Sequence, residues 1–210
     1  MKTNVYIDGF SLFYGCLKGT QCKWLNPEAL CQAVFPHHQI NRIRYFTARV
    51  RATPSDPQKP DRQDIYIRAL RTIPNLTIHE GHFLSHIARM PLAKPPRRGS
   101  RMVEVIKTEE KGSDVNLATY LLLDGFNAEY DVAIIISNDG DLEEPINIVQ
   151  ARLGFPVGVL NPHLDKKKTS WALKNAATFY RRIRGPVLNA CQFPATLQDT
   201  KGTFTKPKEW

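Results

Sequence analysis

Cysteine is scarce in this 210-residue chain: Cys16, Cys22, Cys31 and Cys191 are all there is, and no two form a C-x-x-C pair. That argues against a disulfide framework or a dithiol redox motif. The order Cys22, Cys31, His37, His38 is only a weak zinc pattern, and reduced, partly buried thiols are the simpler expectation. No apolar run approaches the ~18 residues needed to span a bilayer. The opening MKTNVYIDGF reaches an aspartate too early for a secretory apolar region. A soluble, cytoplasmic protein with no membrane partner is therefore expected. Neither G-x-G-x-x-G after the first strand nor the phosphate-binding G-x-x-x-x-G-K-S/T occurs, so no nucleotide cofactor is indicated. No internal repeat is visible.

Acid is missing from one long stretch. Residues 166 to 184 hold seven Lys and Arg and no Asp or Glu. Residues 89 to 111 hold seven basic residues against three acids. With a formal charge of +9 and a pI of about 9.5, the chain is expected to meet an anionic partner.

Apolar periodicity and punctuation outline an alternating architecture. NVYID reads as a buried strand stopped by Asp8-Gly9. Residues 10–18 and 27–34 read as short helices, the second capped by Asn26 with Pro27 in its first turn. INRIRYFTARV is a second strand, and PSDPQKPD a loop. Asp61 opens a helix with Ile65, Ala69, Leu70 and Ile73 at helical spacing. LTIHEGHFL is a third strand. ARMPLAKPPRRGS carries too much proline for an element interior, and RMVEVIKTEE pairs back as an edge hairpin. SDVNLATYLLLDGF and EEPINIVQARLG are helices around the strand DVAIIIS. FPVGVLNP is a further strand, and TSWALKNAATFYRRI a closing helix. The tail from Gly185 shows no period and reads as loop or an appended arm. Strands alternating with helices imply βαβ units, hence an α/β three-layer α/β/α sandwich with a mostly parallel central sheet. Ligands in such sheets sit beyond the carboxyl ends of strands, where strand order switches.

The segment AIIISNDGDLEEPI, residues 133–146, places Asp139 and Asp141 just past one apolar run. Asp8 stands at the end of another. Asp114 shares a helix face with Leu117, Ala118 and Leu121, an otherwise apolar face that should lie on the sheet. Each acid alone is explained by a turn or a helix cap. Together they imply carboxylates converging at one sheet edge, where they would repel one another unless a cation intervened. All-oxygen donors suit Mg²⁺ or Mn²⁺ rather than zinc. Beside basic side chains, such a site points to hydrolysis of phosphodiesters.

The order VYIDGFSLFYG, EEKGSDVNLATYLL, AIIISNDGDLEEPI resembles the NYN domain, a PIN-like nuclease fold, and in particular its LabA-like bacterial branch. The likeness spans about residues 3–183 and includes Gly81-His82-Phe83 after the third strand and the late Ser170–Leu173 helix. The resemblance implies a domain over 1–184, with an Arg/Pro-rich loop at about 89–101 and a tail or arm over 185–210. It implies a Mg²⁺- or Mn²⁺-dependent ribonuclease, endonucleolytic, acting on single-stranded or structured RNA, with DNA the other admissible substrate. The family's acidic positions fall on Asp8, Asp114, Asp139 and Asp141, and its Lys-Gly on Lys111-Gly112. Two positions depart from the pattern: Ser11 replaces a frequent Asn, still offering an oxygen to position water, and Ala177 replaces a frequent acid, which bears on a second metal. Lys111 and Arg97, Arg98 and Arg101 are the expected phosphate contacts. Two other functions fit parts of the pattern. One is a non-catalytic nucleic-acid-binding module, with Tyr45, Phe46, Tyr180 or Trp210 stacking on bases, although core packing is the expectation for most of these rings. The other is a haloacid-dehalogenase-type phosphatase, which needs an acid two residues after Asp8, where this chain has Phe10.

Overall fold

The computed structural model describes the backbone of residues 1–210 and every side chain but that of Lys166. Seven strands form one twisted sheet: β1 (Lys2–Asp8), β2 (Gln39–Ala48), β3 (Leu76–Pro91), β4 (Met102–Lys111), β5 (Val132–Ile136), β6 (Val157–Asn161) and β7 (Phe179–Arg182). Their spatial order is β4-β3-β2-β1-β5-β6-β7. All neighbours run parallel except β3 and β4. From β1 the chain winds outward to β3 and then, from β5, outward on the other side. The strand order therefore switches between β1 and β5, the place where open α/β sheets bind ligands.

The helices are α1 (Gly9–Leu12, continued by a π-helical turn through Leu17), α2 (Pro27–Val34), α3 (Lys59–Leu70), α4 (Ser113–Phe126), α5 (Glu143–Ile148), α6 (Trp171–Ala176) and α7 (Gly185–Ala190). Alternation along the strands builds a core on each sheet face. Val5, Ile7, Ile134 and Ile136 pack with Leu12, Leu30 and Leu70 on one side. Tyr6, Ala133, Ile135 and Val159 pack with Leu117, Leu121 and Ile146 on the other. The result is the expected α/β/α sandwich. A buried polar bolt joins its layers: Arg44 on β2 holds Asp124 on α4 in a two-pronged pair, both contacts at 2.7 Å, and Tyr6 donates to the same carboxylate.

The structure departs from the sequence reading in three places. The closing helix stops at Ala176, and Phe179–Arg182 becomes β7 instead. Helical spacing across residues 171–183 is outweighed by the open edge of β6, which the aromatic, β-compatible run can pair; the Phe179 ring lies against Gly158, where a side chain would collide. β3 continues through Ala88–Pro91, which the proline content assigned to a loop, because Pro91 is the last paired residue and faces Met102 at the strand end. The tail is ordered: α7 and the hairpin β8 (Thr196–Asp199) and β9 (Gly202–Thr205) dock on the α3 side of the sheet. Trp24 donates to the Pro194 carbonyl at 2.8 Å, and Arg68 pairs with Asp199 while stacking on Phe204. Among the described residues, no helix is long and apolar enough to cross a membrane.

Candidate functional site

Asp8 is the residue at which β1 becomes α1. Its Oδ1 accepts the Phe10 and Ser11 backbone N–H groups at 3.0 and 2.9 Å, so the aspartate caps the helix it precedes. Its Oδ2 accepts from Ser137 Oγ at 2.9 Å. The same Ser137 hydroxyl receives the Asp139 N–H at 3.1 Å, and Ser11 Oγ receives the Asn138 N–H at 3.0 Å. The ends of β1 and β5 are thus stitched together side chain to backbone. Asp139 in turn caps the short 3₁₀ turn Gly140–Leu142, accepting the Asp141 N–H at 3.1 Å.

Asp114 arrives from the β4 edge of the sheet. Gly112, at φ 102°, turns the chain out of β4 and into α4, a backbone angle that strains any side-chain-bearing residue. That turn leaves Asp114 in the first turn of α4. Glu110, the penultimate residue of β4, accepts the Ser113 N–H at 3.2 Å. β3 passes so close here that a side chain at Gly81 would meet the Glu110 carboxylate and the Lys111 carbonyl. Two residues on, Phe83 packs edge-on to Phe10 with centroids 5.8 Å apart.

These elements enclose one open cleft of about 620 Å³, lined by Asp8, Ser11, Glu110, Asp114 and Asp139 together with Asn138 and aromatic neighbours. Among the described residues, no Lys or Arg lines it; His163 is its one basic side chain. The carboxylates feel one another. Burial raises Asp8 above the usual carboxylate range, and Asp139 adds to the rise. Asp114 is pushed up to about 6 by lost solvation first, then by Asp8, Asp139, Glu110 and Asp141. Burial lowers His163, with Lys168 adding to the effect.

The structure therefore brings Asp8, Asp114, Asp139 and Ser11 into one cleft. Asp141 is exposed beside it, within electrostatic reach of Asp114 but not in the lining. Lys111 points away, exposed, with Nζ 3.5 Å from Glu109. Arg97, Arg98 and Arg101 lie at the exposed tip of the β3–β4 hairpin; from the His82–Lys111 pair to the Pro91–Met102 pair is about 30 Å of strand. The sequence reading missed Glu110, Ser137, Asn138 and His163. Ser137 and Asn138 adjoin Asp139 in the motif, and their polarity after an apolar run was the available signal. Glu110 and His163 carry no local signal, since only the sheet edge brings them in. Tyr45 and Phe46 are buried in the core, the packing expected for most of the candidate stacking rings.

Among the described residues, no group of three His, Cys, Asp or Glu side chains forms a ready coordination shell. The donor chemistry nevertheless fits a hard divalent cation: every carboxylate donor is oxygen, and Asp8 and Asp114 are both raised by burial first and then by acidic neighbours. The four cysteines are buried and unpaired, and no zinc site forms from them among the described residues.

The sequence matches the NYN domain over residues 2–183. The chain belongs to the NYN domain family. Its nuclease-like fold agrees with that of a solved Vibrio parahaemolyticus protein of unknown function, at a TM-score of 0.57 and 15% identity, covering 88% of this chain and 93% of that one. Among curated proteins, this NYN domain chain is 29% identical over 236 aligned positions to 6-hydroxy-3-succinoylpyridine 3-monooxygenase HspA of Pseudomonas putida, covering all of this chain and 75% of that protein.

Proposed function

We propose that this NYN domain protein is a Mg²⁺- or Mn²⁺-dependent ribonuclease that cuts RNA internally, working in the cytoplasm, where unpaired cysteines persist. The observation that carries the reading is the cleft at the β1–β5 switch, where Asp8, Asp114 and Asp139 meet and, among the described residues, no lysine or arginine lines the walls. A divalent ion bound there would acidify a water and offset phosphate charge. Asp8, Asp114 and Asp139 would hold it, and Asp141 would serve as a ligand or would orient Asp139. Ser11 orients a water at the cleft wall through a hydroxyl already anchored by the Asn138 N–H. Phe10 and Phe83, packed edge to face, supply the apolar part of the cleft lining.

The test is incubation of labelled single-stranded RNA with the purified protein and Mn²⁺, beside Asp139→Asn and beside DNA of the same sequence. Internal cleavage of RNA by the wild type alone is expected. Equal cleavage by both proteins would mark a contaminant and end the proposal. The name of the Pseudomonas relative supplies a second arm: consumption of 6-hydroxy-3-succinoylpyridine by the wild type, with RNA left intact, would replace the nuclease reading.

A further inference from the structure

Among the described residues, no side chain of the acid-free stretch lines the cleft. Residues from Thr169 to Arg184 instead contribute to a second groove, of about 770 Å³, beside the free edge of β7. Lys174, Arg181, Arg182 and Arg184 line it with Trp171 and Tyr180, and among the described residues no acid does. Arg181 is committed to the fold: it bonds the Val34 carbonyl and stacks on Phe35 at 5.2 Å. Among the described residues, Lys174, Arg182 and Arg184 pair with no carboxylate. Trp171 is 66% exposed, an unusual position for so large a ring, and Lys174 Nζ sits 4.6 Å from its centroid. An exposed indole flanked by uncompensated cations suits a strand of stacked bases and phosphates.

The groove is joined to the cleft by Asn138. This cleft-lining side chain donates to the Lys168 carbonyl at 2.8 Å and accepts the Ser170 N–H at 2.9 Å. Trp171 follows directly. A strand leaving the cleft past Asn138 would therefore meet Trp171 first, and then the cations of α6 and β7.

We propose that this groove is the track for the single-stranded RNA flanking the cut, with Trp171 as a stacking platform and Lys174, Arg182 and Arg184 as phosphate contacts. The proposal rests on the nuclease reading for its substrate and goes beyond it in placing the strand. Charge complementarity and continuity with the cleft both favour RNA as the occupant.

The experiment measures binding of fluorescein-labelled single-stranded RNA by anisotropy, in an Asp139→Asn background, between about 50 and 200 mM salt. Trp171→Ala should weaken binding about tenfold. The triple variant Lys174→Gln, Arg182→Gln, Arg184→Gln should flatten the log–log salt slope by about 2, three contacts at roughly 0.7 each on a single strand. All four residues are at the surface, and unchanged melting temperatures would verify folding. An unchanged slope and affinity in both variants would overturn the track while leaving the nuclease reading intact. Wild-type protein that never cuts RNA, with both variants still losing affinity, would overturn the nuclease reading and keep the groove. Loss of affinity for phosphatidylserine vesicles, with RNA binding unaltered, would assign the groove to a membrane surface and also overturn the track.

Discussion

The Ser137 hydroxyl donates to Asp8 Oδ2 at 2.9 Å while receiving the Asp139 backbone N–H at 3.1 Å. One fully buried hydroxyl thereby sets the spacing between the first and last carboxylates of the cleft. Moving the Asp8 carboxylate or the Asp139 backbone would break a bond to it.

Ser137→Ala should therefore lower kcat by roughly ten- to a hundredfold, since small misplacements of reacting groups have effects of that order. RNA affinity should change little, because Ser137 is not in the cleft lining. Single-turnover cleavage and anisotropy on the same RNA separate the two. An equal loss in both would mean that Ser137 acts through general stability.

Asp114→Asn should abolish cleavage yet raise the melting temperature of the metal-free protein. Its carboxyl is raised to about 6 by burial and by its acidic neighbours, so its ionised form is disfavoured in the folded state and its removal relieves repulsion. Thermal melts at neutral pH in chelator check this; a lowered midpoint would contradict it.

Neutralising Arg97, Arg98 and Arg101 should weaken long RNAs only. These side chains stand at the end of a ten-pair hairpin, out of reach of an oligonucleotide that merely fills the cleft. Binding curves with short and long RNAs decide the point, and an equal loss for both would place the arginines near the cleft after all.

The docking of the C-terminal hairpin should be acid-sensitive. The Arg68 guanidinium bonded to Asp199 holds that carboxyl down, to about 2. A depressed acid contributes stability above its unfolded value of about 3.9 and loses it as pH falls toward about 2. Limited proteolysis should release the tail across that window, and Asp199→Asn should release it more readily already at neutral pH. A tail equally protected in the variant would show that Trp24 and Phe204 hold it alone.

Asp124→Ala should destabilise the fold by about 3–5 kcal/mol, because it leaves Arg44 buried without its partner. Chemical denaturation measures this directly. A change below about 1 kcal/mol would mean that Arg44 finds another partner or reaches water.

The element types and their alternation, Asp8, Asp114 and Asp139 as strand-end and helix-start acids, and the family itself were all legible in the sequence. They depend on periodicity and on short motifs, and those are properties of neighbouring residues. Tertiary structure alone decided that residues 179–182 form a strand, that the tail packs, that Glu110 and His163 face the same cleft as Asp8, and that the hairpin arginines stand far from it while Lys174, Arg181, Arg182 and Arg184 line a separate groove. Each of these turns on which sheet edge is free and which residues distant in the chain meet across it. Hydrogen-bond pairing at an open edge and burial against a remote helix are long-range terms that no local pattern encodes.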